Sequence, residues 1–197
     1  MEHIPEFPEL TELQKHHKPT IDGLCRQAEP KASELNFTNL YIWRHAYAAR
    51  LTEIDGVVCI FSLRPDPEDS FLLPPLGEDA GVEHVNRCLE FMAEEGHNAR
   101  LCRIDQTQLD RLGITGDEFD IEKDRENFDY VYRVDELIAL EGDELADKRH
   151  HLQNFTRKFD YEYREITPDI VDGCKWLQEL WCDEKHCDLH STLRAED

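Results

Sequence analysis

The dipeptide Asp55-Gly56 limits the fold more than any other feature of the chain. It lies between LTEI and VVCIFS, two short runs of β-branched and aliphatic residues. An Asp-Gly pair takes positive φ at both turn positions, and that twist matches two antiparallel strands. Residues 51–63 are therefore expected as a β-hairpin, and the architecture must contain an antiparallel pair. Residues 64–70 read as a polar, proline-containing loop. Residues 71–73 read as a short strand, ended by Pro74-Pro75, and residues 99–104 as another.

Helical signals surround these strands. Residues 8–17 and 19–28 read as two short helices. Pro19 suits a first helical position, and Ile21, Leu24 and Cys25 give the second helix an inward face. Residues 33–50 read as an aromatic-rich helical segment. Phe37, Leu40, Tyr41, Trp43, Tyr47 and Leu51 recur at spacings of three and four, with Asn36 or Thr38 as the starting cap. Two readings of these side chains stand side by side. Phe37, Tyr41 and Trp43 pack in the core, or Asn36, Asn39 and Tyr41 direct polar groups into a cleft. Residues 81–95 form an amphipathic helix with Val82, Val85, Leu89 and Met92 inward and Gly96 beyond its end. A short helix is expected over 105–112, then an acidic, irregular segment over 113–126.

The stretch 127–166 reads as strand, short helix, long basic helix, strand. Tyr130, Tyr132 and Val134 alternate with Val131 and Arg133 at the two-residue period of a strand. Asp135 is placed as a cap for the helix that follows, Gly142 as its stop, and Asp143 as the cap of the next. On that next helix Leu145, Leu152, Phe155 and Phe159 make an apolar stripe, surrounded by Lys148, Arg149, His150, His151, Arg157 and Lys158. Tyr161, Tyr163 and Glu165 restart the alternation. A last helix follows, with Thr167 as cap, Pro168 at its first position, and Asp169 and Asp172 in its positive first turn. Ile170, Val171, Cys174, Trp176, Leu177, Leu180 and Trp181 cover more than half of its circumference. So wide an apolar face expects cover on two sides.

At 197 residues the chain suits one domain, or one and a fraction. Its 22 lysines and arginines stand against 44 carboxylates, a net charge of −22. Such a surface repels nucleic acid and anionic lipid at long range, so binding either would need a local basic patch. Only residues 148–158 offer one. No apolar run reaches the ~18–20 residues of a membrane span. The first ten residues lack the basic and apolar regions of a signal peptide. Seven cysteines without a small-scaffold rhythm fit reduced thiols and a cytoplasmic setting.

Three blocks carry a family resemblance: ELNFTNLYIWR (34–44), PPLG (74–77) and DYVYRVDELIALEGDELADKRHHLQNF (129–155). Together they resemble a bacterial family related to the C-terminal domain of the lysyl-phosphatidylglycerol synthases. That family pairs two GNAT-like acyltransferase domains, as the Fem peptidyltransferases do. The resemblance implies an α+β fold, a GNAT-like mixed and largely antiparallel sheet with helices on both faces. It implies a first GNAT-like domain over 1–166, and over 167–197 a helix leading into a second such domain that the chain lacks. It further implies acyl transfer, as aminoacyl transfer to an amine or hydroxyl, with no turnover from this half alone. Arg149, His151 and Phe155 match the family's pattern, whereas His150 stands in place of an asparagine.

The residues set limits on that chemistry. An acyl-coenzyme A site needs backbone N–H groups at a helix N-terminus to face the pyrophosphate. The loop in that position, PPLGEDAG, puts Glu78 and Asp79 where phosphate would sit, so acyl-coenzyme A is not expected as a cofactor of this half. Lys148, Arg149, His151, Arg157 and Lys158 are the candidate anion-binding residues, with the phosphates at the end of an aminoacyl-tRNA or an anionic lipid head group as partner. A solvated helix face is the plainer account of the same charges. The partner over 167–187 is expected to be the second GNAT-like domain or another copy of the chain. Cys182, His186, Cys187 and His190 match no usual zinc spacing, and no metal site is expected. No catalytic residue is identified. The alternative function is a non-enzymatic binding module that uses helix 145–158.

Overall fold

A computed structural model gives the structure of the chain and describes residues 3–186. Contacts divide it into two compact units, Met1–Asp129 and Tyr130–Asp197. The sequence-based reading divides it later, after residue 166.

The first unit is built on four strands: β1 (Thr11–Glu12), β2 (Ala49–Ile54), β3 (Val57–Ser62) and β4 (Phe71–Leu72). They lie in that order, and each neighbouring pair is antiparallel. The expected hairpin is present. Ile54 pairs with Val57 across a turn in which Asp55 has φ 50° and Gly56 φ 84°. Every residue of β3 is buried, because helices cover both faces of the sheet. Val58 and Ile60 pack with Ile21 of α1 (Lys18–Ala28) and with Phe37 and Leu40 of α2 (Phe37–Ile42). Val57, Cys59 and Phe61 point the other way. They pack with Val85, Cys88 and Met92 of α3 (Val82–Glu94) and with Leu109 and Leu112 of α4 (Gln106–Leu112). This is the two-residue alternation of a strand serving two cores. Burying a side chain such as Phe61 contributes about 2–3 kcal/mol. Two parallel bridges, Glu6 to Glu53 and Leu72 to Leu101, make the sheet mixed at its margins. The fold is thus α+β, a largely antiparallel sheet with helices on both faces.

Local signals account for the helix ends. Pro19 stands in the first turn of α1. Asn36 caps α2, its side chain accepting the Asn39 N–H at 2.9 Å. Asp105 caps α4 through the Gln108 N–H at 3.1 Å, and Gly113 ends that helix at φ 70°.

Several expectations need correction. Residues 8–17 are not a helix. They hold β1 and a 3-10 turn at Lys15–His17, because Thr11 and Glu12 are taken up by Leu51 and Arg50 at the sheet edge. The helical segment over 33–50 is much shorter than expected. Helix α2 stops at Ile42, turns follow, Ala48 takes φ 45°, and Ala49 and Arg50 already belong to β2. Residues 99–104 make a single bridge at Leu101 instead of a strand, and Arg103 at φ 60° turns the chain away.

The second unit holds α5 (Val134–Ala139), α6 (Ala146–Lys158) and α7 (Val171–Lys185), the last preceded by a 3-10 turn at Pro168–Ile170. Its boundaries also differ from expectation. Arg133, not Asp135, flanks the start of α5, and Leu140 at φ 49° ends it before Gly142 is reached. Leu145, not Asp143, precedes α6. The two expected strands around Tyr130 and Tyr163 join no ladder. A strand's backbone groups need a neighbouring strand, and among the described residues of this unit there is none to pair with. None of these described residues is buried. Trp176 is 61% exposed, Leu180 44% and Trp181 42%.

Candidate functional site

Helix α6 carries the cationic residues singled out in the sequence, and the structure gives them different surroundings. Arg149 is half-buried. Its Nη1 donates to the Leu140 and Gly142 carbonyls, so it caps the C-terminal end of α5. Lys148, His151, Arg157 and Lys158 are exposed. No carboxylate lies within ion-pair distance of Lys148, Arg157 or Lys158 among the described residues. At helical spacing His150, Asn154 and Arg157 share a face. Asn154 holds that face together: its Nδ2 lies 2.8 Å from His150 Nε2, and its Oδ1 accepts from Arg157 Nη2 at 2.5 Å. Asn154 was not singled out in the sequence, although its spacing of four from His150 and three from Arg157 marks it. The apolar stripe lies on the other side. Phe155 meets Phe159 at 5.2 Å and Tyr161 at 5.1 Å between ring centroids, yet remains 45% exposed.

The PPLG block is held by backbone. Leu76 exchanges two hydrogen bonds with Val58, at 2.8 and 2.9 Å, and the Gly77 carbonyl accepts from Arg111 Nη2. A Cβ on Gly77 would come within 3.1 Å of Val57 Cγ2, so glycine lets this loop lie against β3. The following residues open α3, where a phosphate cradle would have to form. There the Glu83 carboxylate lies against Gly81, and His84 Nδ1 sits 3.3 Å from the Gly81 nitrogen and 3.2 Å from Glu83 Oε1. The N-terminus of α3 is therefore occupied by the chain's own side chains.

The candidate cleft residues fall differently. Asn36 is exposed, caps α2, and donates from Nδ2 to the Ser33 carbonyl at 2.6 Å. Asn39 is half-buried and donates to the same carbonyl at 3.3 Å. Tyr41 is half-buried. It stacks on Phe37 at 5.4 Å and lies under the Arg44 guanidinium, 3.9 Å from its ring centroid.

A group the sequence reading missed joins the first block to a distant loop. Arg103 Nε lies 3.2 Å from Glu34 Oε1, and its Nη1 donates to Asp124 Oδ2 at 2.9 Å. Nε is buried without a well-directed hydrogen bond, so the Glu34 contact is an ion pair and not a directed bond. A lone arginine after a short apolar run gives no sequence signal for this. Nearby, Asp129 accepts the Ser33 N–H at 2.9 Å, and the Ser33 side chain first, with this backbone bond second, holds its carboxyl below the usual range.

Cys187 and His190 lie outside the described residues. Among the described residues, no group of three or more metal-ligating side chains is gathered, and no helix is long and apolar enough to cross a membrane.

A sheet enclosed by helices, followed by a helical unit with a cationic face, defines an α+β protein. Residues 25–195 match the family described as phosphatidylglycerol lysyltransferase, C-terminal, and the chain belongs to that family. The chain also resembles a crystal structure titled a conserved protein of unknown function from Bacteroides thetaiotaomicron VPI-5482. The two are 26% identical with a TM-score of 0.68, over 92% of this chain and 62% of that one. The chain thus spans less than two thirds of that protein's length. No protein with a curated description matches it.

Proposed function

We propose that this chain acts as one half of a tandem GNAT-like aminoacyltransferase and does not turn over alone. One observation carries the reading. The family match runs through α7, yet among the described residues of the second unit no side chain is buried. A unit whose described side chains are at most half-buried gains little to offset the entropy of ordering its own chain. Trp176, Leu177, Leu180 and Trp181 and the unpaired tyrosine segments are the natural contact surface for a second half. The related crystal structure has additional chain of its own that could supply such a half.

In such a transferase the acceptor's hydroxyl or amine attacks the ester carbonyl of an activated aminoacyl group. The new bond forms, the ester C–O bond breaks, and the acceptor's proton passes to the leaving alcohol. This half supplies architecture and part of the donor or acceptor cleft. Glu83 and His84 at the start of α3 support a donor other than acyl-coenzyme A. Lys148, Arg157 and Lys158, with no carboxylate in ion-pair reach among the described residues, suit the phosphates of a tRNA end or a lipid head group.

The same exposed cations favour a second reading, a non-enzymatic module that binds an anionic partner through α6. Titration with tRNA, and separately with anionic vesicles, at several salt concentrations tests the shared step. Binding that weakens with salt, and weakens further in Arg157→Gln/Lys158→Gln, supports a phosphate-contacting α6. A response that is flat with salt removes α6 from both readings. Transfer activity that appears only when a second half is supplied selects the enzyme.

A further inference from the structure

Residues 160–166 have the alternation of a strand and no ladder to join. Phe159 (φ −129°, ψ 131°) and Thr167 (φ −108°, ψ 160°) hold extended backbone at either end. Between them no backbone N–H or C=O makes a hydrogen bond among the described residues. The side chains face solvent as well, Tyr163 being 89% exposed. Tyr161 is steadied by Phe155, 5.1 Å away between ring centroids, so part of the segment is already ordered. Unpaired backbone beside tyrosines is a template for another strand. Proline and lysine, which commonly guard such an edge, are absent from these residues.

The charges of the segment do not guard the edge either, because they are complementary to themselves. In an antiparallel pair of copies centred on Tyr163, Glu162 stands opposite Arg164 of the other copy, and two-fold symmetry makes that contact twice. Tyr161 stands opposite Glu165, whose carboxylate can accept the phenol O–H. Tyr163 meets its own counterpart. Glu162 and Arg164 share a face, and in the single chain Arg164 Nη2 already donates to Glu162 Oε2 at 2.5 Å. The pair of copies turns that ion pair into a ring of four alternating charges. A net charge of −22 opposes self-association through most of the surface, so a contact between copies must bring opposite charges together. This edge does so.

We propose that residues 161–165 are a self-recognition edge, which pairs antiparallel with the same residues of a second copy of the chain. So short a ladder buries less than the ~800 Å² per partner of a standard interface, so the dimer is weak and depends on concentration. The assignment takes one of the two tyrosine segments. Helix α7 stays for the second half, and a chain that remains monomeric removes the edge while leaving the acyltransfer reading in place.

The test is sedimentation velocity of the 197-residue chain over about 1–500 µM. A monomer that passes to a dimer is expected, with a Kd on the order of 10–100 µM. Glu162→Arg and Arg164→Glu each set like charges opposite one another at two places, and each weakens the dimer about tenfold or more. An equimolar mixture of the two variants restores it, because every charge then meets its opposite on the other chain. Both side chains are exposed, so the variants keep the far-UV circular dichroism of the parent. A monomer over the whole range overturns the proposal. So does a dimer that the single variants form as well as the parent, or one that their mixture fails to restore, since association then runs through another surface.

Discussion

Glu83 holds its carboxylate against Gly81, so close that a Cβ on the glycine would meet Oε2 at 2.6 Å. Gly81 has φ −147°, an extended conformation open to any residue, and Glu83 is exposed and can swing aside. Gly77 differs, because its added Cβ would stand 3.3 Å from the Val57 Cα as well as 3.1 Å from Cγ2, and backbone cannot yield so readily. Gly81→Ala is expected to leave stability within about 0.5 kcal/mol of the parent, whereas Gly77→Ala costs about 1–3 kcal/mol. Urea unfolding of the two variants checks the contrast. Equal losses would refute it.

The pair of Arg103 and Glu34 is largely shielded, each side chain being 16% exposed, and it ties the first family block to the turn after Leu101. Glu34→Gln is expected to cost about 2 kcal/mol, less than the loss of a partner from a fully buried pair. A double-mutant cycle with Arg103→Met reads the coupling. Additive effects would mean that the two groups merely lie near each other.

Cysteine reactivity follows burial. Burial first, and Asp22 second, push the Cys25 thiol from an ordinary value near 9 up to about 11. Cys59 is raised as well, by its hydrogen bond with Cys88 and by burial. Cys174 is exposed. At pH 8 iodoacetamide is expected to modify Cys174 while sparing Cys25, Cys59 and Cys88. Between pH 9 and about 11 the unfolded chain gives up the Cys25 proton while the folded chain keeps it. Stability therefore falls with rising pH across that window and levels off above it. Peptide mapping after a short pulse checks the labelling. Cys25 modified as fast as Cys174 would contradict it.

Asn36 spends its side chain on α2, accepting the Asn39 N–H and donating to the Ser33 carbonyl. Asn36→Ala should cost about 1 kcal/mol and Asn36→Asp much less, since an aspartate still caps. Thermal melts of the two variants separate this role from a cleft role, under which both would keep parental stability.

What was legible in the sequence was local. Asp55-Gly56 announced the hairpin because turn chemistry there is set by two residues. Helices α1 and α3 were visible because Pro19 marks the start of one and Gly96 the end of the other, and their apolar residues recur at helical spacing. Strand β1 was hidden because two residues carry no period, and only their partners Leu51 and Arg50 make them a strand. The segment 33–50 misled because Tyr47 and Leu51 continue the spacing of Phe37 and Tyr41 by coincidence. They lie beyond the turn at Ala48 or within it, and the chain has already changed direction. Tyr130, Tyr132 and Tyr163 alternate as strand residues do, but alternation says only which side chains share a face and not where the hydrogen-bonding partner comes from. At the candidate site the cations of α6 were readable as a charge run. The diversion of Arg149 to the end of α5 was not, because it depends on Leu140 taking φ 49°.

The proposed function requires that the second unit be covered by a second GNAT-like half. Hydrogen exchange of the 197-residue chain tests it most directly. The account predicts slow exchange at β3 and fast exchange along Val171–Lys185, with protection of that helix appearing once a second half is present. Amides of Val171–Lys185 as well protected as those of β3 in the chain by itself would contradict it.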